Sequence, residues 1–258
     1  MNKTAGTIVL TALIAGALIW PGCGDGKRQT KTVRLYAGAG LRPAVDELAA
    51  AFKAHTGITV EPDYAGSGLL ITRARMDPEA DLFMPGDVWY VDRLHEQAGL
   101  IEAKTPVAYF VPVIIIAKGN PKKISGLKDL FRDDVRVALG KAKACQIGRT
   151  SGKILKKSGL DRSGIKDPLE SLTVNELGVW VKMNNADVAI VWDAIAANFA
   201  DSVDVVEIPK DKNIISRVVV GLMKTSKDKA SARKFVEFMT GQGGQEILAR
   251  RGYRTKAP

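Results

Sequence analysis

The chemistry open to this chain lies in hydrogen-bond donors rather than in nucleophiles or metal ligands. Four loop-to-helix junctions, 38–41, 65–68, 146–152 and 172–175, combine glycines and small residues with the start of a helical pattern. The first N–H groups of a helix have no partner within it and sit at the positive end of its dipole. Donors converging from several such junctions suit a tetrahedral anion. Ser67, inside the second junction, can either cap its own helix or offer its hydroxyl to a ligand.

Sharper motifs fail on inspection. The run Gly148-Arg149-Thr150-Ser151-Gly152-Lys153-Ile154 is one residue short between glycines for a phosphate loop and has no Ser or Thr after its Lys. Ala65 and Leu69 stand where a nucleophile elbow around Ser67 needs glycines. His55 and His95 are the only imidazoles, and nothing nearby in sequence pairs either with a serine. Asp81, Asp87, Asp92 and Asp193 follow no metal-ligand spacing and read as caps or turns. Trp89 and Trp180 read as packing residues, and the lysines of 118–123 and 153–157 as solvated faces. Two cysteines in 258 residues exclude a disulfide-stapled scaffold and any multi-cysteine zinc module. The formal charge of +10 favours anionic partners without choosing among nucleic acid, headgroups and small anions.

The elements that must position these groups alternate between short β-branched runs and amphipathic helices, the grammar of an α/β fold. Strand 33–37 leads to a helix with Pro43 in its first turn, with Val45, Leu48, Phe52 and His55 on one face and Gly57 at its exit. Strand 58–64 and helix 69–76 repeat the unit, followed by strand 81–84 and helix 88–97. The run 107–117 is the longest apolar strand, and its Pro112 suggests a bend or a crossing between two lobes. Strands at 135–139, 186–192, 203–208 and 214–222 follow. Thr173 and Glu176 form a capping box for a helix to 185, and helices at 193–200, 229–240 and 245–250 complete the pattern. Ligands of open α/β sheets lie beyond the carboxyl ends of strands, where these junctions fall.

Residues 1–22 read as a secretory signal: Lys3 is a short positive start, and 7–20 is an apolar run of 14 residues, short of the roughly 20 that span a bilayer. Trp20-Pro21-Gly22-Cys23 resembles the lipobox of bacterial lipoproteins, which implies lipidation at Cys23 and a tether over 23–30, with plain signal cleavage and an uncleaved anchor as the alternatives. Cys145 is then the one remaining thiol and reads as a small buried side chain.

The segments VRLYAGAGLRPAV (33–45), YAGSGLL (64–70) and ADLFMPG (80–86) resemble the N-terminal lobe of periplasmic molybdate-binding proteins, the substrate-binding components of ABC importers. The resemblance continues through 135–140, 146–148, 172–176, 189–193 and 235–253, so it covers nearly all of the chain after the signal. It implies a type II periplasmic-binding fold, α/β, with two lobes, a hinge and an interlobe cleft. Lobe one is expected at 31–111 plus 213–258 and lobe two at 112–212. It also implies a site without counter-charges, a tetrahedral oxyanion as ligand (molybdate or tungstate), no cofactor, no cation ligands and no catalysis.

Residue by residue, Ser67 matches the family's second-loop serine, while Ile147 and Val174 stand where main-chain N–H groups are used. Gly40 replaces the first-loop serine, and Trp192 replaces the tyrosine. An indole N–H donates but cannot accept, so this ring of donors favours a fully deprotonated anion. The implied partners are the small oxyanion, an ABC permease with its ATPase, and the membrane through Cys23. No nucleic acid is expected, and the protein is expected to be a monomer on the periplasmic or cell-surface side. Binding of another small anion (a phosphonate, sulfonate or carboxylate), a ligand-sensing lipoprotein and an exported hydrolase acting through Ser67 are the competing readings.

Overall fold

A computed structural model describes residues 31–258; the signal, the tether and Cys23 lie outside the described residues. Two five-stranded mixed sheets form the frame. The first uses β1 (Thr32–Gly38), β2 (Thr59–Ala65), β3 (Leu82–Met84), β4 (Ile101–Phe110) and β10 (Ser216–Met223), in the order β2-β1-β3-β10-β4. The second uses β5 (Pro112–Ala117), β6 (Val137–Gly140), β7 (Leu169–Ser171), β8 (Val188–Trp192) and β9 (Val203–Glu207), in the order β7-β6-β8-β5-β9. Each sheet has three parallel strands continued by two antiparallel pairings.

Helices follow the parallel strands. On the first sheet these are α1 (Arg42–Thr56), α2 (Ser67–Met76) and α3 (Val88–Ala98). The second sheet has α4 (Gln146–Lys157), α5 (Val174–Lys182) and α6 (Asp193–Ala197). The chain then returns to the first sheet for α7 (Lys229–Thr240) and α8 (Gln242–Arg250).

The local chemistry explains most boundaries. α1 buries Ala44, Val45, Leu48 and Phe52, with Pro43 in its first turn and Gly57 ending it at φ 74°. Phe52 packs edge-on against Phe235 of α7 at 5.1 Å between centroids. Asp87 caps α3 by accepting from the Trp89 N–H at 2.9 Å.

The expected strand over 107–117 is divided: β4 ends at Phe110, β5 begins at Pro112, and the two belong to different sheets. Pro112 thus sits at a strand start, where its missing N–H removes no internal ladder bond. His55 is exposed in the last turn of α1, its ring stacked on Phe238 at the rim of the core face that Val45, Leu48 and Phe52 form. Three further expectations are corrected. The helix expected to reach 185 ends at Lys182. Its capping box does not form, because Ser171 accepts the Thr173 N–H at 3.0 Å and its hydroxyl engages Glu176, drawing that carboxylate from its cap role. β7 and the first half of β4 have no counterpart among the expected strands.

Candidate functional site

The carboxyl ends of β1, β2, β6, β7 and β8 meet between the two sheets, as expected for ligand sites of this architecture. Residues 39–41 form a single 3-10 turn after β1, α2 and α5 start within three residues of their strands, and α4 follows β6 across the loop 141–145. Gly40, Ser67, Ile147, Val174 and Trp192 all line one cavity there. Its volume is ≈ 20 Å³, measured to the centres of water-sized spheres. One water needs about 10–15 Å³ by this measure, so the space suits one compact guest.

Ser67 is the first residue of α2, not its cap, and is 3% exposed. Its Oγ accepts the Gly86 N–H at 3.0 Å. That bond uses an oxygen lone pair and leaves the hydroxyl proton free to be donated elsewhere. Ile147 and Val174 are buried in the first turns of α4 and α5, so their side chains pack while the helix starts supply amides.

Trp192 stacks on Phe110 with centroids 4.9 Å apart and planes 10° apart. A Cβ placed on Gly40 would lie 3.5 Å from Trp192 Cδ1, the carbon adjoining Nε1, so the pyrrole edge faces the first loop. The same Cβ would stand 2.9 Å from Val174 Cγ1, inside normal contact distance. Gly40 therefore lets Val174 and Trp192 pack close to the first loop. A serine would need Val174 to retreat.

No carboxylate lines this cavity. Its one thiol, Cys145, is buried, and that burial pushes its pKa up to about 11, keeping it neutral near pH 7. Its lining therefore supplies dipoles without charges.

The two sheets' elements touch around this space. Gly68 N–H donates to the Ala144 carbonyl at 3.0 Å, and Asn175 Nδ2 donates to the Ala39 carbonyl at 3.1 Å. A Cβ at Gly66 would lie 2.4 Å from both the Ala144 and Leu172 carbonyl oxygens, so only glycine permits that approach. The C-terminal segment also reaches the site: Tyr253 donates its hydroxyl to the Gly40 carbonyl at 2.6 Å.

Residues that carried no sequence signal for this site are Gly86, Phe110, Cys145 and Tyr253. Gly86 lies within the quoted segment 80–86, yet its bond to Ser67 spans 19 residues and no local pattern marks it. The rejected candidates lie elsewhere. His95 Nδ1 sits 3.0 Å from the Ile101 carbonyl, Asp92 pairs with Lys104, and Asp193 pairs with Arg254. Asp81 accepts from the Arg34 N–H and from Ser226. Among the described residues no three His, Cys, Asp or Glu side chains group as metal ligands, and no helix is long and apolar enough to cross a membrane.

Comparison with known proteins gives a consistent picture. Residues 33–254 match the family described as bacterial extracellular solute-binding protein. A putative binding protein of Haemophilus influenzae is 28% identical over 226 residues, covering 87% of this chain and 91% of that protein. The molybdate-binding protein ModA of Mycobacterium tuberculosis is 29% identical over 226 residues, covering 86% and 84%. Among solved structures, the substrate-binding domain of a putative molybdenum ABC transporter from Clostridium difficile aligns with a TM-score of 0.67 at 26% identity, covering 88% of this chain and 99% of that one.

Proposed function

Because the chain belongs to the bacterial extracellular solute-binding protein family, whose members are binding proteins rather than enzymes, we propose that it captures a tetrahedral oxyanion, molybdate or tungstate, for delivery to an ABC permease and its ATPase. The observation that carries this reading is the gathering of Gly40, Ser67, Ile147, Val174 and Trp192 around one small cavity that no carboxylate lines. Neutral donors fixed in place replace the anion's water shell without the desolvation cost of burying counter-charges. Hydrogen bonds to a charged group contribute about 1.5–3 kcal/mol each, and five or six exceed the roughly 8 kcal/mol of a micromolar complex.

In this reading the lobes are 31–111 plus 213–258 and 112–212, and they part and close about the crossing at Val111. The protein acts as a monomer outside the cytoplasmic membrane, held there by lipid on Cys23. Calorimetric titration with molybdate, tungstate, sulfate and phosphate tests the ligand. Tight binding of the first two is expected, and silence toward all four rejects the oxyanion reading. Metabolic labelling with a fatty acid, lost in Cys23→Ser, tests the anchor.

Gly40 and Trp192 motivate a second reading, a different small anion such as a phosphonate, sulfonate or carboxylate, which a competition panel separates from the first. Hydrolysis through Ser67 finds no support: the Ser67 hydroxyl has the Gly86 amide as its partner and no base beside it.

A further inference from the structure

A second anion-selective feature lies outside the cavity. An open groove of ≈ 410 Å³, by the same measure, runs between α2 and α3 on one side and the start of α4 with the preceding loop on the other. Arg75 and Arg93 line one wall, Lys143 and Arg149 the other, and no carboxylate lines either. Most arginines of the described residues are held in ion pairs, such as Arg136 with Asp187 and Arg254 with Asp193. Five are not: Arg42, Arg75, Arg93, Arg149 and Arg217. Three of those five face this one groove.

The groove floor adds two aromatic residues. Trp89, read from sequence as core packing, is only half-buried and is flanked by the guanidinium groups of Arg149 at 3.3 Å and Arg93 at 4.7 Å from its ring. Tyr90 is 3% exposed and lines the groove, yet its hydroxyl makes no hydrogen bond among the described residues. Burial holds its pKa up at about 12, so the phenol remains a donor.

We propose that this groove docks an acidic segment of a partner protein. A free small anion gains little from cations spaced along an open, water-facing groove of high dielectric. An extended chain of carboxylates engages several at once and is steered to them from a distance. The Arg149–Trp89 contact joins elements of the two sheets, so the groove is complete only while they are together. A partner segment seated there therefore favours the closed protein. By linkage, it binds more tightly when the cavity is occupied, a coupling that rests on the oxyanion reading above.

The test uses fluorescein-labelled hexaglutamate in an anisotropy titration at low salt, without and with saturating molybdate. Arg75→Glu combined with Arg93→Glu lowers peptide affinity about tenfold or more. The same charge change at Lys53 and Lys210, two exposed lysines without ion pairs, lowers it less than about twofold. Unchanged circular dichroism and molybdate affinity in the Arg75/Arg93 variant show that it folds. Equal losses in the two double variants mean the peptide senses only net charge, and they overturn the proposal. Citrate binding as tightly as hexaglutamate assigns the groove to small ligands and also overturns it. If wild-type protein ignores molybdate, the cavity reading fails, while the comparison in molybdate-free buffer still decides the groove.

Discussion

The small cavity between the sheets and the open groove both favour negative charge, yet they are built from opposite materials. The cavity offers a serine hydroxyl, helix-start amides and an indole edge, with no ionised side chain lining it. The groove offers three unpaired arginines and a lysine, all in contact with water. The difference follows from solvation. A buried guanidinium must be paired or it costs several kcal/mol, whereas amides at a helix start are already oriented and carry no ionic hydration to lose. At the surface the same amides would compete with water, and full charges reach further. Shape is therefore the cavity's means of selection, and net charge the groove's.

The sharpest way to break this contrast is to prevent the cavity from sealing. Gly66→Ala places a methyl 2.4 Å from two carbonyl oxygens across the interface and should lower molybdate affinity about 100-fold, or about 2.7 kcal/mol, by calorimetry. An unchanged affinity would mean the ligand does not need this close approach. Ser67→Ala removes a free hydroxyl proton from the cavity and should weaken binding by about 1–3 kcal/mol; it also leaves the buried Gly86 N–H without its acceptor, so the ligand-free protein should melt at a lower temperature as well.

Salt separates the two regions further. Moving from about 0.1 M to 1 M shrinks the screening length from roughly 10 to 3 Å, so hexaglutamate binding should fall steeply while molybdate binding falls only slightly. Parallel losses would place full charges in the cavity after all.

The smallest effect concerns Cys145. Its thiol pKa is raised in the folded protein, so the stability it confers is present below the ordinary thiol value near 9 and is lost as pH rises toward about 11. Melting curves of wild type and Cys145→Ala should run parallel up to about pH 8 and converge above it, and parallel curves to pH 11 would remove this role.

Much of the architecture could be read from sequence, because α1 and α3 carry clean apolar faces and begin or end in local signals such as Asp87 and Gly57. What escaped was decided by distant neighbours. β7 is three residues long and two of them are exposed, which gives no hydrophobic pattern. The first half of β4 carries Glu102 and Lys104 on an edge strand held only by β10, so it reads as loop. The failed capping box at Thr173 depended on Ser171, whose hydroxyl offers a competing partner at the same helix start.

In the site, Ser67 was legible as a hydroxyl, but its release from capping by Gly86 was not. Gly40 was visible as a departure from the family's serine, and only the packing of Val174 and Trp192 explains why the departure stands. The groove was invisible, since its cations come from α2, α3, α4 and a loop, and each looks like an ordinary solvated residue within its own element.

The hydroxyl of Tyr253 on the Gly40 carbonyl has a temporal consequence. It joins positions 213 residues apart, and Arg254 beside it receives the Tyr109 N–H and grips Asp193 next to the crossing at Val111. A polypeptide made from its amino end thus carries an unfinished first loop until Tyr253 and Arg254, more than 200 positions later, lace that loop to the crossing strand. Nascent chains arrested before Tyr253 should be unable to hold cargo, although strands β1 to β10 and helices α1 to α8 have by then been made.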